Sequence, residues 1–235
     1  MISIIVPVLN EEEAIPGFIN QLHEQDYQEF ELIIADGGSR DRTVAVAGSR
    51  LSIERHPIDM TVIHAPKGRA WQMNVGAKEA HGEILLFLHA DTYLPQGALR
   101  ALEEAVQQDS RVTGGRFKVK LDNKGLAFRI VGSMINVRDR IFGGFTGDQA
   151  IFVRKDVFEE IGGFREIELC EDLDMAQALK KKGGVIRIPL CVTTAARRWE
   201  KSGIVRTILL MWIIRVLFYA GISPVRLAQI YADVR

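Results

Sequence analysis

Short apolar runs rich in Ile, Val, Leu and Phe recur through the first half of the chain, at residues 2–9, 30–35, 60–64 and 84–88. Each has strand length and lacks clean apolar-polar alternation, the pattern of strands covered on both faces. Helix-compatible segments lie between them, roughly 13–25, 41–52, 69–80 and 96–108. Such βαβα alternation predicts a mostly parallel central sheet flanked by helices, because parallel neighbours need crossover connections. The second half breaks the rhythm. RVTGGRFKVKL (111–121) reads as a strand, 125–141 as a helix, and QAIFVRKDVFEEIGGF as a strand, a short helix and a glycine turn. A helix should follow CEDLD, with short strands near 185–196. The expected fold is α/β and Rossmann-like with a mixed second half, continuous over 1–202.

Residues 204–222, IVRTILLMWIIRVLFYAGI, are overwhelmingly apolar and form an expected helical appendage over 203–235. Arg206 and Arg215 interrupt the run, which falls short of the roughly 20 apolar residues of a membrane span, and Gly221 and Pro224 should end the helix. Packing on the domain or on a homodimer partner, or docking on a membrane surface, are the two favoured readings, with true spanning behind both.

Composition narrows the class. At 235 residues, with 47% hydrophobic and 26% charged positions, the chain is long and apolar enough to bury a sizeable core. Its formal net charge of zero argues against nucleic-acid binding, which requires a basic surplus. Cys170 and Cys191 are far apart and lack metal-ligand companions, as expected of reduced thiols in a cytosolic protein. The start, MISIIVPVLNEEE, has no basic leader and reads as a strand rather than a signal peptide. A cytoplasmic location follows, peripheral on the inner face of the membrane if the tail meets lipid.

Every first-half strand ends in polar residues: Asn10 and Glu11; Asp36 and GGSRD; Lys67, Gly68 and Arg69; His89 and Asp91. Open parallel sheets bind ligands beyond the carboxyl ends of their strands, so these clusters should converge on one crevice. Taken singly each has a plainer reading. Asp36 could lock a turn, Lys67 and Arg69 could be solvated surface, and Asp91 could cap a turn with Thr92. Together they offer carboxylates for base or ribose, cations for phosphate and Asp91 for a divalent ion, which fits a nucleotide diphosphate. Neither G-x-G-x-x-G nor G-x-x-x-x-G-K-[ST] is present, which disfavours dinucleotide and P-loop binding.

In this order SIIVPVLNEE, IIADGGSRDRT, HADT and EDLDMA resemble the family 2 glycosyltransferases with the GT-A fold. The resemblance implies an inverting, metal-assisted transfer from a nucleotide-diphosphate sugar to an acceptor hydroxyl or phosphate. It places Pro7, Asn10, Glu11 and Asp36 around the nucleoside and Arg69, with Lys67, near base or phosphate. Asp91 matches the last aspartate of the family's DxD motif, while His89 replaces the first. A single carboxylate suits Mg²⁺, and an imidazole suits Mn²⁺. Glu171 and Asp172 match the family's acidic pair, with Asp172 as general base, although acidic residues also favour helix N-termini. FTGDQA offers Asp148 as an acceptor contact, and ARRWEKSG offers Arg197 and Arg198 for the diphosphate and Trp199 for the acceptor. A UDP-sugar is favoured over a GDP-sugar as donor, and the apolar tail makes a lipid-linked acceptor one option. Two rivals are a sugar nucleotidyltransferase, whose glycine-rich basic loop is replaced here by NEEE, and a non-catalytic nucleotide-sugar or membrane-binding module.

Overall fold

The computed structural model describes residues 1–50 and 58–233. At its centre β1 (Ile2–Val8) runs parallel to β2 (Phe30–Asp36) on one side and β4 (Ile84–Phe87) on the other, and β3 (Asp59–His64) extends the sheet beyond β2. The crossovers are α1 (Ile15–His23), α2 (Thr43–Arg50) and α3 (Arg69–Glu79), and α4 (Ala98–Gln108) follows β4. All four expected strands and four expected helices are present; residues 51–52 of the second expected helix lie outside the described residues. The unbroken apolar runs have a direct cause. Ile4 and Val6 point into a cluster with Phe18, Leu22, Leu99 and Leu102, while Ile5, between them, points into a second with Met73, Phe87, Phe158 and Phe164. Both faces of β1 are core, so neither set of alternate positions can be polar.

Past β4 the sheet turns antiparallel. β7 (Ile151–Arg154) pairs antiparallel with β4, and β6 (Gly114–Leu121) pairs antiparallel with β7. Beyond β6 lies β8 (Val185–Thr194), parallel to it, and the two-residue β5 (Thr92–Tyr93) closes the edge. The full order is β3-β2-β1-β4-β7-β6-β8-β5. The short strands expected near 185–196 are one strand. Its register slips between Phe117 and Lys118 of β6, where Ile188 and then Cys191 are the partners, so Pro189 and Leu190 bulge out. Proline has no N–H for the ladder, and a bulge absorbs it without ending the strand.

The remaining helices are α5 (Leu126–Phe142), α6 (Lys155–Glu160), α7 (Glu171–Lys182), α8 (Arg197–Ser202), α9 (Ile204–Tyr219) and α10 (Pro224–Asp233). The tail is two helices, with Gly221 at φ 85° making the turn that ends the first and Pro224 opening the second. Ile214 of α9 and Leu227 of α10 are buried with Cys170 and Leu173, so part of the tail packs on the start of α7. Val205, Leu209, Trp212, Ile213 and Val216 of α9 stay exposed. Among the described residues no helix is long and apolar enough to cross a membrane.

Gly115 shows how tightly β6 and β8 are joined. A Cβ there would sit 2.2 Å from the Ile186 carbonyl oxygen of β8, a backbone atom that cannot rotate away. Gly115→Ala should therefore destabilise the fold by about 1–3 kcal/mol, as overpacking of a rigid interior does, read as a lower urea midpoint with an unchanged slope.

Candidate active site

The carboxyl ends of β1, β2 and β4 are fastened to one another by polar side chains. Gln72, buried on α3, donates from Nε2 to the carbonyls of Val8 (2.8 Å) and Ala35 (2.7 Å), clamping the tips of β1 and β2 just where their ladder ends. Asn10 takes a left-handed φ of 56°, uncommon for a residue with a Cβ, and its Oδ1 accepts from the Arg40 N–H at 2.8 Å. The Asn10 N–H donates to the Ser39 hydroxyl at 2.9 Å, so the loops after β1 and β2 hold each other. Asp36 is buried and accepts from the N–H groups of Gly38 and Ser39 at 3.1 Å each. Its carboxylate locks the GGS turn, the plainer of its two sequence readings.

On the other side of β1, Pro7 lacks an N–H and lies two residues past the last paired position, Ile5 with Phe87. The β1–β4 ladder stops there, and the chain beyond Phe87 carries His89 and Asp91 outward. Arg197, at the start of α8, reaches into the gap. Its Nη2 lies 3.1 Å from Asp91 Oδ2 and 3.5 Å from Glu11 Oε2, so one guanidinium nitrogen spans the carboxylates at the tips of β4 and β1. Burial raises Glu11 above the usual carboxylate range, against the pull of Arg197.

The third wall is the start of α7. Cys170 is its N-cap, in the left-handed region at φ 70°, and turns the chain so that Glu171 and Asp172 enter together. Asp172 Oδ2 accepts from the Gly147 N–H at 2.9 Å and Oδ1 from the Leu173 N–H at 2.7 Å. Burial nevertheless raises its pKa. Glu171, 6% exposed, is pushed up to about 7 by burial and by the charge of Asp172 beside it. His89 packs its ring on the same loop: a Cβ on Gly147 would lie 2.9 Å from His89 Nε2 and 4.0 Å from Asp172 Oδ2. Burial, then the positive field of Arg69, lowers His89 to about 3, leaving a neutral imidazole at physiological pH. The Arg69 charge also acts on Glu11, Glu171 and Asp172, which places the entrance of α3 in the same electrostatic neighbourhood.

Most of the residues singled out by sequence thus gather at one end of the sheet. Asp148 joins them from the 3-10 turn Gly147–Gln149, accepting from the Thr146 hydroxyl and raising Asp172. Lys67 is exposed beyond β3. Arg198 lies over the Tyr231 ring, 5.4 Å from its centre, and Trp199 packs against the larger core cluster. Gln72 and Gly147 have no sequence signal of their own. A glutamine inside a helix and one glycine among 21 become informative only when their contacts are visible.

The donor set suits a hard cation. Among the described residues no three His, Cys, Asp or Glu side chains gather around one point. Asp91 and Glu11 do, however, share a single positively charged nitrogen, and Mg²⁺ or Mn²⁺ needs only one or two protein carboxylates when phosphate oxygens and water complete its shell.

The chain belongs to glycosyl transferase family 2, whose family model matches residues 3–162. An undecaprenyl-phosphate 4-deoxy-4-formamido-L-arabinose transferase of Proteus mirabilis is 25% identical over 158 residues, covering 65% of this chain and 48% of that protein. A PGL/p-HBAD biosynthesis glycosyltransferase of Mycobacterium tuberculosis is 32% identical over 174 residues, covering 70% and 63%. The chain spans between 48% and 60% of the length of three such relatives. The fold resembles residues 1–349 of Staphylococcus aureus TarS, solved with UDP-GlcNAc, at a TM-score of 0.67 and 20% identity over 83% of this chain and 58% of that one. It also resembles the mannosyltransferase PcManGT of Pyrobaculum calidifontis, solved with GDP-Man and Mn²⁺, at a TM-score of 0.70 and 20% identity over 99% and 69%. These neighbours carry the GT-A fold that the sequence motifs lead one to expect.

Glu171 supplies a pH test. Its folded pKa of about 7 exceeds the ordinary 4.5, so the folded state binds a proton that the unfolded chain has lost between those values. Stability must therefore fall as pH rises through that window and level off above it. Glu171→Gln should melt higher than wild type at pH 8, by about 2–4 °C for each kcal/mol recovered, with the gap closing at pH 4. Differential scanning calorimetry across that range measures it.

Proposed function

We propose that this chain transfers a sugar from a nucleotide-diphosphate donor to an acceptor hydroxyl, with inversion at the anomeric carbon and Asp172 as general base. The observation that carries the reading is Asp172, half-buried beside the buried Glu171 at the mouth of α7 and held by two backbone N–H groups. A partly desolvated carboxylate with a raised pKa is a better proton acceptor than a solvated one, and its fixed orientation spares reorganisation during the reaction. In the step itself, Asp172 takes the proton of the acceptor hydroxyl. The freed oxygen bonds to the anomeric carbon, and the bond from that carbon to the diphosphate breaks, its electron pair leaving with the phosphate.

The donor lies across the tips of β1, β2 and β4. Asn10, Glu11 and the turn locked by Asp36 face the nucleoside, and Arg69, Lys67 and Arg197 meet the diphosphate charge. Asp91, with His89 as a neutral neighbour, holds the divalent ion, which when bound neutralises charge on the departing diphosphate. Support comes from the two structural neighbours, solved with UDP-GlcNAc and with GDP-Man and Mn²⁺. Arg197 occupies this region as the local cation and must release Asp91 and Glu11 as the donor enters. Asp148, which follows the Gly147 whose N–H donates to Asp172, contacts the acceptor.

Asp172→Asn should lower kcat by about 10²- to 10⁴-fold, the usual worth of a general base, while donor binding followed by thermal shift stays within a few-fold of wild type. Turnover close to wild type in that variant would remove Asp172 from this role. Donor hydrolysis or transfer by the wild-type protein also separates this reading from a module that only binds nucleotide sugars.

The reading extends to where the enzyme works. α5 presents Leu126, Ile130, Met134, Val137 and Ile141 along one exposed stripe, between exposed Arg129 and Arg140, and α9 presents Val205, Leu209, Trp212, Ile213 and Val216 beside exposed Arg206. Apolar stripes flanked by arginines suit an anionic bilayer surface. The protein should co-sediment with vesicles containing phosphatidylglycerol and not with pure phosphatidylcholine vesicles, and Leu209→Ser/Ile213→Ser should reduce the bound fraction several-fold. Equal sedimentation of variant and wild type would place the contact elsewhere.

A further inference from the structure

The two glycines that follow α5 have the polar ends of three side chains drawn over them. A Cβ on Gly143 would lie 2.9 Å from Lys180 Nζ, and one on Gly144 would lie 3.3 Å from Tyr219 Oη and 3.4 Å from Arg215 Nη1. Gly143 is the left-handed C-cap of α5, at φ 59°. Lys180 comes from α7 and the other two from α9, so an ammonium, a guanidinium and a phenol hydroxyl meet over one turn from two helices.

The same side chains line a cavity of 340 Å³. Arg215, 8% exposed, is its buried charge, whereas Lys180, Trp212 and Tyr219 are exposed, so the cavity is reached from solvent. Arg215 Nη1 donates to the Gly144 carbonyl at 3.4 Å, and that long bond occupies one of five guanidinium donors. Among the described residues no carboxylate lines the cavity. A buried cation with no counter-charge in its own cavity is costly, and an oxyanion there offsets the cost. The donors favour a phosphate, because ammonium, guanidinium and hydroxyl can each take a different oxygen of a tetrahedral group.

Much of the remaining wall is apolar. Trp212 and Val216 line the cavity and also belong to the exposed apolar stripe of α9, so the stripe runs into the cavity beside its cations. The volume is at the lower end for small-molecule pockets, which suits a head group rather than a whole lipid. We propose that Lys180, Arg215 and Tyr219 bind the phosphate of a membrane lipid, with the start of its apolar part against Trp212 and Val216. The inference deepens the docking of α9 on a bilayer surface and is independent of the role given to Asp172.

The probe is dihexanoyl phosphatidic acid, kept below its micelle concentration and titrated calorimetrically into the full chain without nucleotide. It should bind saturably and raise the melting temperature. Inorganic phosphate, which lacks the apolar part, and dihexanoyl phosphatidylcholine, whose phosphate is screened by choline, should each bind about tenfold more weakly or worse. Lys180→Glu and Arg215→Gln should each weaken phosphatidic acid about tenfold or more, the worth of one charge-assisted hydrogen bond. Lys180 is exposed, so its variant covers the case in which Arg215→Gln fails to fold. Trp212→Ala should bring phosphatidic acid down towards inorganic phosphate, while Lys78→Glu, the same charge change at an exposed position of α3, should bind as wild type. The site is overturned if Lys180→Glu and Arg215→Gln bind phosphatidic acid as wild type does, or if phosphatidylcholine binds as tightly. Inorganic phosphate binding equally well would make this a site for free phosphate and overturn the lipid reading. Leu209 and Ile213 do not line the cavity, so Leu209→Ser/Ile213→Ser should keep this binding. Soluble-lipid binding without vesicle binding would defeat the bilayer contact alone, and vesicle binding without soluble-lipid binding would defeat the pocket alone.

Discussion

The parallel register of β1 with β2 and β4 is the constraint on which everything else depends. Parallel strands point their carboxyl ends the same way, so residues that are 25 or more positions apart in the chain arrive at one edge together. Both faces of these strands are buried by helices, which leaves the strand ends as the place where polar groups can emerge. Gln72 then fixes the spacing of two of those ends by bonding to the carbonyls of Val8 and Ala35, and Arg197 draws the carboxylates of the other side into one ion-pair cluster.

That arrangement stores electrostatic stress at the start of α7. Glu171 is buried and Asp172 half-buried beside it, and both are raised by their loss of water. Cys170 takes a left-handed backbone to deliver the acidic pair, a conformation costing about 1–2 kcal/mol in a residue with a Cβ. Ordinary folding would remove such groups or pair them. Their persistence at the end of the sheet where the donor cluster also lies is what a site prepared for charged substrates looks like. The cluster at the tips of β1 and β4, by contrast, is internally neutralised, because Arg197 answers Asp91 and Glu11.

Much of this was legible in the chain. Runs of Ile, Val and Leu without alternation mark β1 to β4 because burial on both faces forbids polar positions, and a polar cluster at each end marks where burial stops. SIIVPVLNEE, IIADGGSRDRT, HADT and EDLDMA carried the family resemblance, and the first three lie within residues 3–162, which the family model matches. What the sequence hid has physical reasons. The 185–194 strand tolerates Pro189 through a bulge that depends on its partner β6, so local propensity breaks it in two. Asp36 locks a turn whose two N–H donors come from its own loop, a role that composition cannot separate from ligand binding.

The central claim is that the strand tips form a single pocket for a nucleoside diphosphate and a divalent ion, with Asp91 touching the ion. Calorimetric titration of UDP and GDP into the wild-type protein and Asp91→Asn, each with and without Mn²⁺, tests it most directly. The account predicts that at least one nucleotide binds wild type and is strengthened by Mn²⁺, and that Asp91→Asn abolishes the strengthening. Nucleotide binding that ignores both Mn²⁺ and the Asp91 substitution would contradict it.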